Sequence, residues 1–290
     1  MTAAAAIETH PALSAHLSLG PVSLRTRDPE RLAHFYEQAV GLSRLGSTTE
    51  DITLGAGDAP LVILLRDPAA VPLARPAPGL FHLAVRVPDR KALAARIHAL
   101  RALGVPFGAS DHLVSEALYV DDPDGNGVEI YRDRAPAEWP RDSAGGIAMA
   151  TLRLDVAAVA AEIPLPDTIH AAPAGTDMGH VHLKVSDLGD AHRFWHDTVG
   201  FDIMARYPGA LFVAAGGYHH HLGLNVWQSA HAAPPPAASS GLAQFEIRLP
   251  PDEIPALAAR VAAAGYPVEQ RGSAIVLTDP SGNTAHVVAA

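Results

Sequence analysis

Glu129 sits in the stretch of this chain whose residue types are most open to chemistry. Residues 110–131 read Ser-Asp-His-Leu-Val-Ser-Glu-Ala-Leu-Tyr-Val-Asp-Asp-Pro-Asp-Gly-Asn-Gly-Val-Glu-Ile-Tyr. Two β-like runs, 117–120 and 128–131, flank Asp-Pro-Asp-Gly-Asn-Gly, a dense cluster of turn formers. Alternation along the second run sets Val128 and Ile130 on one face and Glu129 and Tyr131 on the other. A carboxylate beside a tight turn, with His112 and Tyr119 just upstream, offers an oxygen ligand and two proton-exchanging groups. The same residues suit a plain hairpin with Glu129 as a solvated strand residue, and the stretch alone leaves both readings open. A second concentration is Tyr218-His219-His220-His221-Leu222-Gly223-Leu224-Asn225. Imidazole titrates near neutrality, so this run suits acid–base work, with a surface histidine cluster as the competing reading.

The elements that must position these groups emerge from an internal repeat. Pro21-Val22-Ser23-Leu24 and Gly41-Leu42 recur as His180-Val181-His182-Leu183 and Gly200-Phe201, 159 residues on (22 to 181, 41 to 200). Asp122-Pro123-Asp124-Gly125-Asn126 recurs as Asp279-Pro280-Ser281-Gly282-Asn283. Each half divides again, so residues 20–66, 79–131, 179–227 and 241–288 each read as strand, helix, then short strands. The helices fall at 29–40, 90–103, 188–199 and 253–264. Asp28 and Asp187 stand as caps on two of them, and Gly104 and Gly265 end the other two. In the opening strands, His82, Ala84 and Arg86 oppose Phe81, Leu83, Val85 and Val87, while His180, His182 and Lys184 oppose Val181, Leu183 and Val185. The apolar faces should pack on helices, which leaves the polar faces lining a concavity, with Pro21, His82, His180 and Gln244 at equivalent positions. The organisation is therefore 1–133 as an N-terminal pair of units, 134–178 as a linker, and 179–290 as a C-terminal pair. The linker is rich in Pro, Ala and Gly, with one helical patch near 156–162, and is long enough to wrap across a surface. Residues 231–240, with Pro234-Pro235-Pro236, read as a loop.

Composition narrows the function. There are 290 residues, 48% hydrophobic and 18% charged, which describes an ordinary globular protein with ample chain for a core. A net charge of −10 argues against nucleic acid or an anionic membrane as partner. The chain has no cysteine, so any metal must be held by histidine, carboxylate or other nitrogen and oxygen donors. Residues 1–13 lack a basic start and a long apolar run, and a cytoplasmic enzyme fits best.

The 110–131 stretch resembles the signature of extradiol ring-cleavage dioxygenases in the vicinal oxygen chelate superfamily. In that signature a His is followed by an apolar residue and Tyr, then Asp-Pro-x-Gly and a Glu. His112, Leu118, Tyr119, Pro123, Gly125 and Glu129 fit in register, and Ser110 is the one departure. Over most of its length the chain is similar to two-domain catechol 2,3-dioxygenases. The resemblance implies an α+β fold of four βαβββ modules forming two cup-shaped half-barrel sheets, the glyoxalase/bleomycin resistance/dihydroxybiphenyl dioxygenase fold. It also implies a metal held by first-strand histidines of two paired modules and a last-strand glutamate of one. Module two supplies His82 and Glu129. Module one has Pro21 at the matching position, which cannot ligate, whereas module three has His180. Pairing the inner modules, as related four-module glyoxalases do, completes a His82–Glu129–His180 set across the two halves, with Gln244 and His286 left in a degenerate second cup.

The same resemblance implies Fe(II), with Mn(II) a possible substitute, and assigns His220 as the proton-transferring residue, with His112 and Tyr119 bonding to bound substrate. Strict alternation instead aims His221 and Asn225 into the cup, and with His182 these are expected to contact substrate. The function so implied is extradiol cleavage of catechol or a substituted catechol by dioxygen, in a homo-oligomer, dimers being common in such folds. Three alternatives share the fold: a hydroquinone dioxygenase, a glyoxalase-like metal-dependent isomerase or lyase, and a non-catalytic binder of aromatic ligands. The glyoxalase class usually carries a carboxylate from each module, whereas module three shows Asn225 near its end.

Overall fold

The computed structural model describes residues 12–141 and 146–290. Its first module comprises β1 (Ser18–Thr26), α1 (Pro29–Phe35), β2 (Ser43–Ser47), β3 (Asp51–Ala56) and β4 (Ala59–Arg66). The second comprises β5 (Gly79–Arg86), α2 (Arg90–Ala102), β6 (Gly108–Asp111), β7 (Ser115–Asp121) and β8 (Gly127–Asp133). A connection with β9 (Leu152–Arg153) and α3 (Val156–Ala160) leads to the third, made of β10 (Asp177–Lys184), α4 (Leu188–His192), β11 (Asp202–Tyr207), β12 (Ala210–Ala214) and β13 (Leu222–Asn225). The fourth comprises β14 (Gly241–Leu249), α5 (Ile254–Ala263), β15 (Val268–Arg271), β16 (Ala274–Thr278) and β17 (Thr284–Ala289).

Capping follows local chemistry. The Asp28, Asp89 and Asp187 carboxylates accept from backbone N–H groups at Arg31, Ala92 and Asp190, and so satisfy first-turn donors. Helices α1 and α4 continue as π-helical turns, Tyr36–Val40 and Arg193–Val199, each ended by a left-handed glycine, Gly41 or Gly200.

The modules pair out of sequence order. One sheet runs β15-β16-β17-β14-β1-β4-β3-β2 and the other β11-β12-β13-β10-β5-β8-β7-β6-β9. Each sheet is centred on an antiparallel pair of opening strands, β1 with β14 and β5 with β10. Modules two and three therefore share one cup, and modules one and four the other. The apolar faces of the opening strands, including Val22, Leu24, Leu83, Val85, Val181 and Leu183, are fully buried in one core with the helix faces. Each such side chain contributes about 1.5–3 kcal/mol, which fixes the strand faces and forces His82, His180, His182 and Lys184 into the concavity. Sequential modules are tied differently: the Asp122 carboxylate at the β7–β8 turn accepts from Tyr36 of module one, and Asp279 of module four accepts from the Trp195 indole of module three.

Candidate metal centre

Register across three strands builds the centre. Ala84 on β5 lies opposite His180 on β10 and beside Glu129 on β8, so His180 and Glu129 flank it on the same face. His82 precedes Ala84 by one pleat on that face. The result brings His82, Glu129 and His180 within 4.8 Å of one another through potential ligand atoms, all buried. His82 Nε2 and His180 Nε2 each lie 3.1 Å from the same oxygen, Glu129 Oε2.

The protonation states suit a cation. Burial opposes charge on Glu129, but the neighbouring imidazoles, His180 before His82, outweigh it and hold the carboxyl well below its usual range. Burial draws His180 down to about 4 against the pull of Glu129, so its ring is neutral at physiological pH. A carboxylate beside the neutral His180 ring offers the deprotonated donors a divalent metal requires. His82 Nε2 is buried and, despite its 3.1 Å approach, is not aligned for a hydrogen bond to Glu129. A donor nitrogen left without a proton partner and aimed at a shared oxygen fits a metal in common better than a hydrogen-bonded cluster. Two histidines and one carboxylate are also the donor set of non-haem iron centres.

These groups open onto a cavity of 310 Å³ walled by Phe81, Phe212, Trp227, Tyr207 and Met149, with His82, Glu129, His180, His182 and His220 facing it. His112 and Tyr119 line it too, joined by a 2.6 Å bond between His112 Nε2 and the Tyr119 hydroxyl. His112 Nδ1 contacts the Ala150 carbonyl at 2.8 Å, which can only accept, so Nδ1 carries the proton and Tyr119 donates to Nε2. Burial, then Glu129, raises the phenol well above its normal range and keeps that donor protonated.

The His219–His221 run lies outside a strand. Gly216 and Gly217 turn at positive φ, and β13 begins only at Leu222, so the alternation expected for residues 218–225 does not hold there. His220 lines the cavity with its ring centroid 4.2 Å from that of His180. His221 does not line it. Its Nδ1 accepts from the Ala215 amide at 3.2 Å and its ring packs on Tyr218. Asn225 also stays outside the cavity wall, where its Oδ1 accepts from the Trp227 amide and closes the turn after β13. The expected contacts of His221 and Asn225 with substrate are thus replaced by local backbone bonds. His182 does reach the cavity, edge-on to Phe81 at 5.0 Å. Its ring fills space left by Gly223, where a Cβ would come within 2.7 Å.

Asp133 was not singled out in the sequence. It shares the face of Glu129 and Tyr131 at the end of β8, and that alternation was the available signal. Its carboxylate accepts from His219 Nε2 at 2.8 Å, from the Tyr218 hydroxyl at 2.9 Å and from Arg86 at 3.0 Å. Burial resists its ionisation, but His219 and then Arg86 hold its pKa below the ordinary value. His219 Nδ1 lies 2.8 Å from His220 Nδ1. An ionised Asp133 can only accept, so His219 donates to it from Nε2, and a neutral His219 then has only a lone pair at Nδ1, which accepts from His220 Nδ1–H. His220 Nε2 is then left as a free base beside the centre, and burial holds that ring well below its usual pKa.

The fold and this site define a member of a known class. The profile of the Glyoxalase/Bleomycin resistance protein/Dioxygenase superfamily matches residues 18–130 and 177–287, and the chain belongs to that superfamily. Within it, the chain is 42% identical over 267 residues to a Bacillus subtilis (strain 168) protein named catechol-2,3-dioxygenase, covering 90% of this chain and 93% of that one. The fold is similar to that of a putative dioxygenase from Bacillus subtilis, with TM-score 0.62, 14% identity and 96% and 86% of the two chains covered. It is also similar to a maize glyoxalase I mutant, with TM-score 0.58, 16% identity and 94% and 93% covered. Among the described residues, no helix is long and apolar enough to cross a membrane.

Proposed function

We propose that this chain is an extradiol dioxygenase that cleaves catechol or a substituted catechol beside its two hydroxyls. The observation that carries the reading is the buried His82–Glu129–His180 set at the head of an aromatic-walled cavity. The 42% identity to the Bacillus protein supports the same activity. These three residues would hold Fe(II), or Mn(II) in its place. A metal so held supplies open positions for the two adjacent oxygens of the diol and for dioxygen.

The protein's own groups do the rest. Phe81, Phe212 and Trp227 bound a ring-sized space and exclude water. His220 Nε2 is the base that accepts a hydroxyl proton and returns it as the ring opens. Tyr119, oriented by His112, is a fixed phenol that bonds to substrate oxygen. The glyoxalase-like alternative is disfavoured by register. The β10–β13 pairing puts Gly223, not Asn225, where β5–β8 pairing puts Glu129, so module three presents no second carboxylate. Oxygen uptake with catechol after anaerobic Fe(II) loading is the test. Wild type should consume oxygen and yield a yellow ring-opened product, while Glu129→Ala and His220→Ala lose activity, only the former losing the metal. Absence of uptake across catechols and hydroquinones by iron-replete protein would overturn the reading.

A further inference from the structure

A second cavity, of 590 Å³, adjoins the first across a wall of Phe81, His82 and Tyr119, which line both. Its chemistry is different. Lys184, Arg75 and Gln228 line it, with Asp121 the one acid, against an apolar side that includes Leu80, Phe107 and Val120. Lys184 follows His182 by one pleat on the polar face of β10 and is only 4% exposed. Among the described residues its ammonium makes no hydrogen bond and no ion pair, while its backbone pairs with Asn225 and Gly79 in the sheet and its carbonyl accepts from Asn283. The chain has 31 acidic residues against 21 basic ones, yet among the described residues none makes an ion pair with this lysine, and Asp121 is the one acid on the wall of its cavity. Strand pairing at this position needs no cation, and the unpaired ammonium of this largely buried side chain is open only to the cavity it lines, where a carboxylate can reach it. Burial first, and then the like charge of Arg75, draw the ammonium below its ordinary pKa, a direction that a bound anion reverses.

The geometry points to the second cavity as a binding site for an organic carboxylate, with the carboxylate between Lys184 and Arg75 and its carbon chain on the apolar side. Two cations beside hydrocarbon select an anion with an apolar body over an inorganic one. The source of that carboxylate rests on the ring-cleavage reading above, though the site itself does not. In extradiol cleavage both atoms of dioxygen enter the product and the carbon–carbon bond beside one hydroxyl breaks. One new end is an aldehyde and the other a carboxyl that loses its proton to water at neutral pH. A neutral diol held in the aromatic cavity thus becomes an anion next to His82, on the wall shared with the cationic cavity. An acidic substituent on the substrate ring would present the same chemistry.

The probe is sorbate, a six-carbon dienoate, with sorbyl alcohol as its uncharged counterpart, titrated by calorimetry into Fe(II)-loaded protein under argon. Sorbate should bind saturably and the alcohol at least about tenfold more weakly, with Lys184→Met losing about tenfold or more and Lys184→Arg retaining binding. Arg75→Gln, on the surface, should weaken sorbate as well and serves if Lys184→Met does not fold. Glu129→Gln should still bind sorbate, which separates this site from carboxylate ligation of iron and from any failure of the dioxygenase reading. Undiminished sorbate binding by Lys184→Met or Arg75→Gln, or no saturable binding by wild type, would overturn the proposal. A raised inhibition constant for ring-opened product in Lys184→Met identifies the product as the source. A KM that rises more for 3,4-dihydroxybenzoate than for catechol identifies the substrate.

Discussion

At the scale of single residues, the charge on Asp133 decides which nitrogen of His220 is free. An asparagine there can donate as well as accept, so His219 is no longer obliged to present a lone pair to His220. In Asp133→Asn we expect kcat to fall by about 10²-fold or more, with a shifted kcat–pH profile and unchanged metal content. Unchanged pH dependence would show that Asp133 serves packing alone. A second prediction comes from His221, which burial, and then His219, draw down to about 3. Its unfolded value is about 6.5. Between those values the unfolded chain binds a proton that the folded chain refuses, so stability falls as pH drops from about 6.5 towards 3. The slope is at most about 1.4 kcal/mol per pH unit for this one group. Urea midpoints of metal-free protein should therefore decline from pH 7 to pH 5, less steeply in His221→Gln. Glu129, His112 and Tyr119 were legible because they lie close in sequence, His112 in the turn before β7, Tyr119 on β7 and Glu129 on β8, where short turns fix their spacing. Asp133 and its bond to His219 were not, since a bond across 86 positions of sequence exists only once β8 meets the loop before β13.

At the scale of elements, the metal centre depends on how closely β8 can approach β5. Gly127 faces His82 across that parallel pair, and a Cβ there would lie 2.2 Å from the Phe81 carbonyl oxygen. The obstructing atom is backbone and cannot rotate away. Gly127→Ala should therefore cost several kcal/mol and displace Glu129, two residues on, with loss of metal binding. Gly46→Ala is the control, since nothing lies within 4 Å of its Cβ position, and its effect should stay within about 0.5 kcal/mol. Thermal denaturation with metal analysis of both variants checks this. The turn preceding Gly127 was readable from Asp-Pro-Asp-Gly alone, with Gly125 at φ +84°. Register in β13 was not. Periodicity names faces but does not say which residue stands opposite which, and so Asn225 looked equivalent to Glu129 when Gly223 is. Nor did composition reveal that Met149, Ala150 and Thr151, in the connection between the halves, close the cavity.

At the scale of the molecule, the duplication and the sheets divide the chain differently. The repeat separates modules one and two from three and four, but each sheet takes one module from either side of the connection. Cut at that connection, the first half would expose β1 and β5 as unpaired edges, and the second β10 and β14. Those edges carry apolar faces such as Val22, Leu24, Leu83 and Val181, all fully buried in the whole protein. The ties within a half, such as Tyr36 to Asp122, Thr26 and Arg31 to Asp124, Trp195 to Asp279 and Arg260 to the Thr198 and Val199 carbonyls, are side-chain bonds worth about 1 kcal/mol each and do not replace the lost β1–β14 and β5–β10 pairing. Residues 1–141 and 146–290 made as separate polypeptides should each fail to melt cooperatively. Mixed at equal concentration they should regain a cooperative transition, because only then do β5 and β10 pair. Only the mixture should bind one divalent metal tightly, since His82 and Glu129 lie in one fragment and His180 in the other. Two independently folded halves, or metal bound by the first alone, would contradict a centre shared between them. Sedimentation at several concentrations distinguishes this heterologous pairing from either fragment pairing with itself.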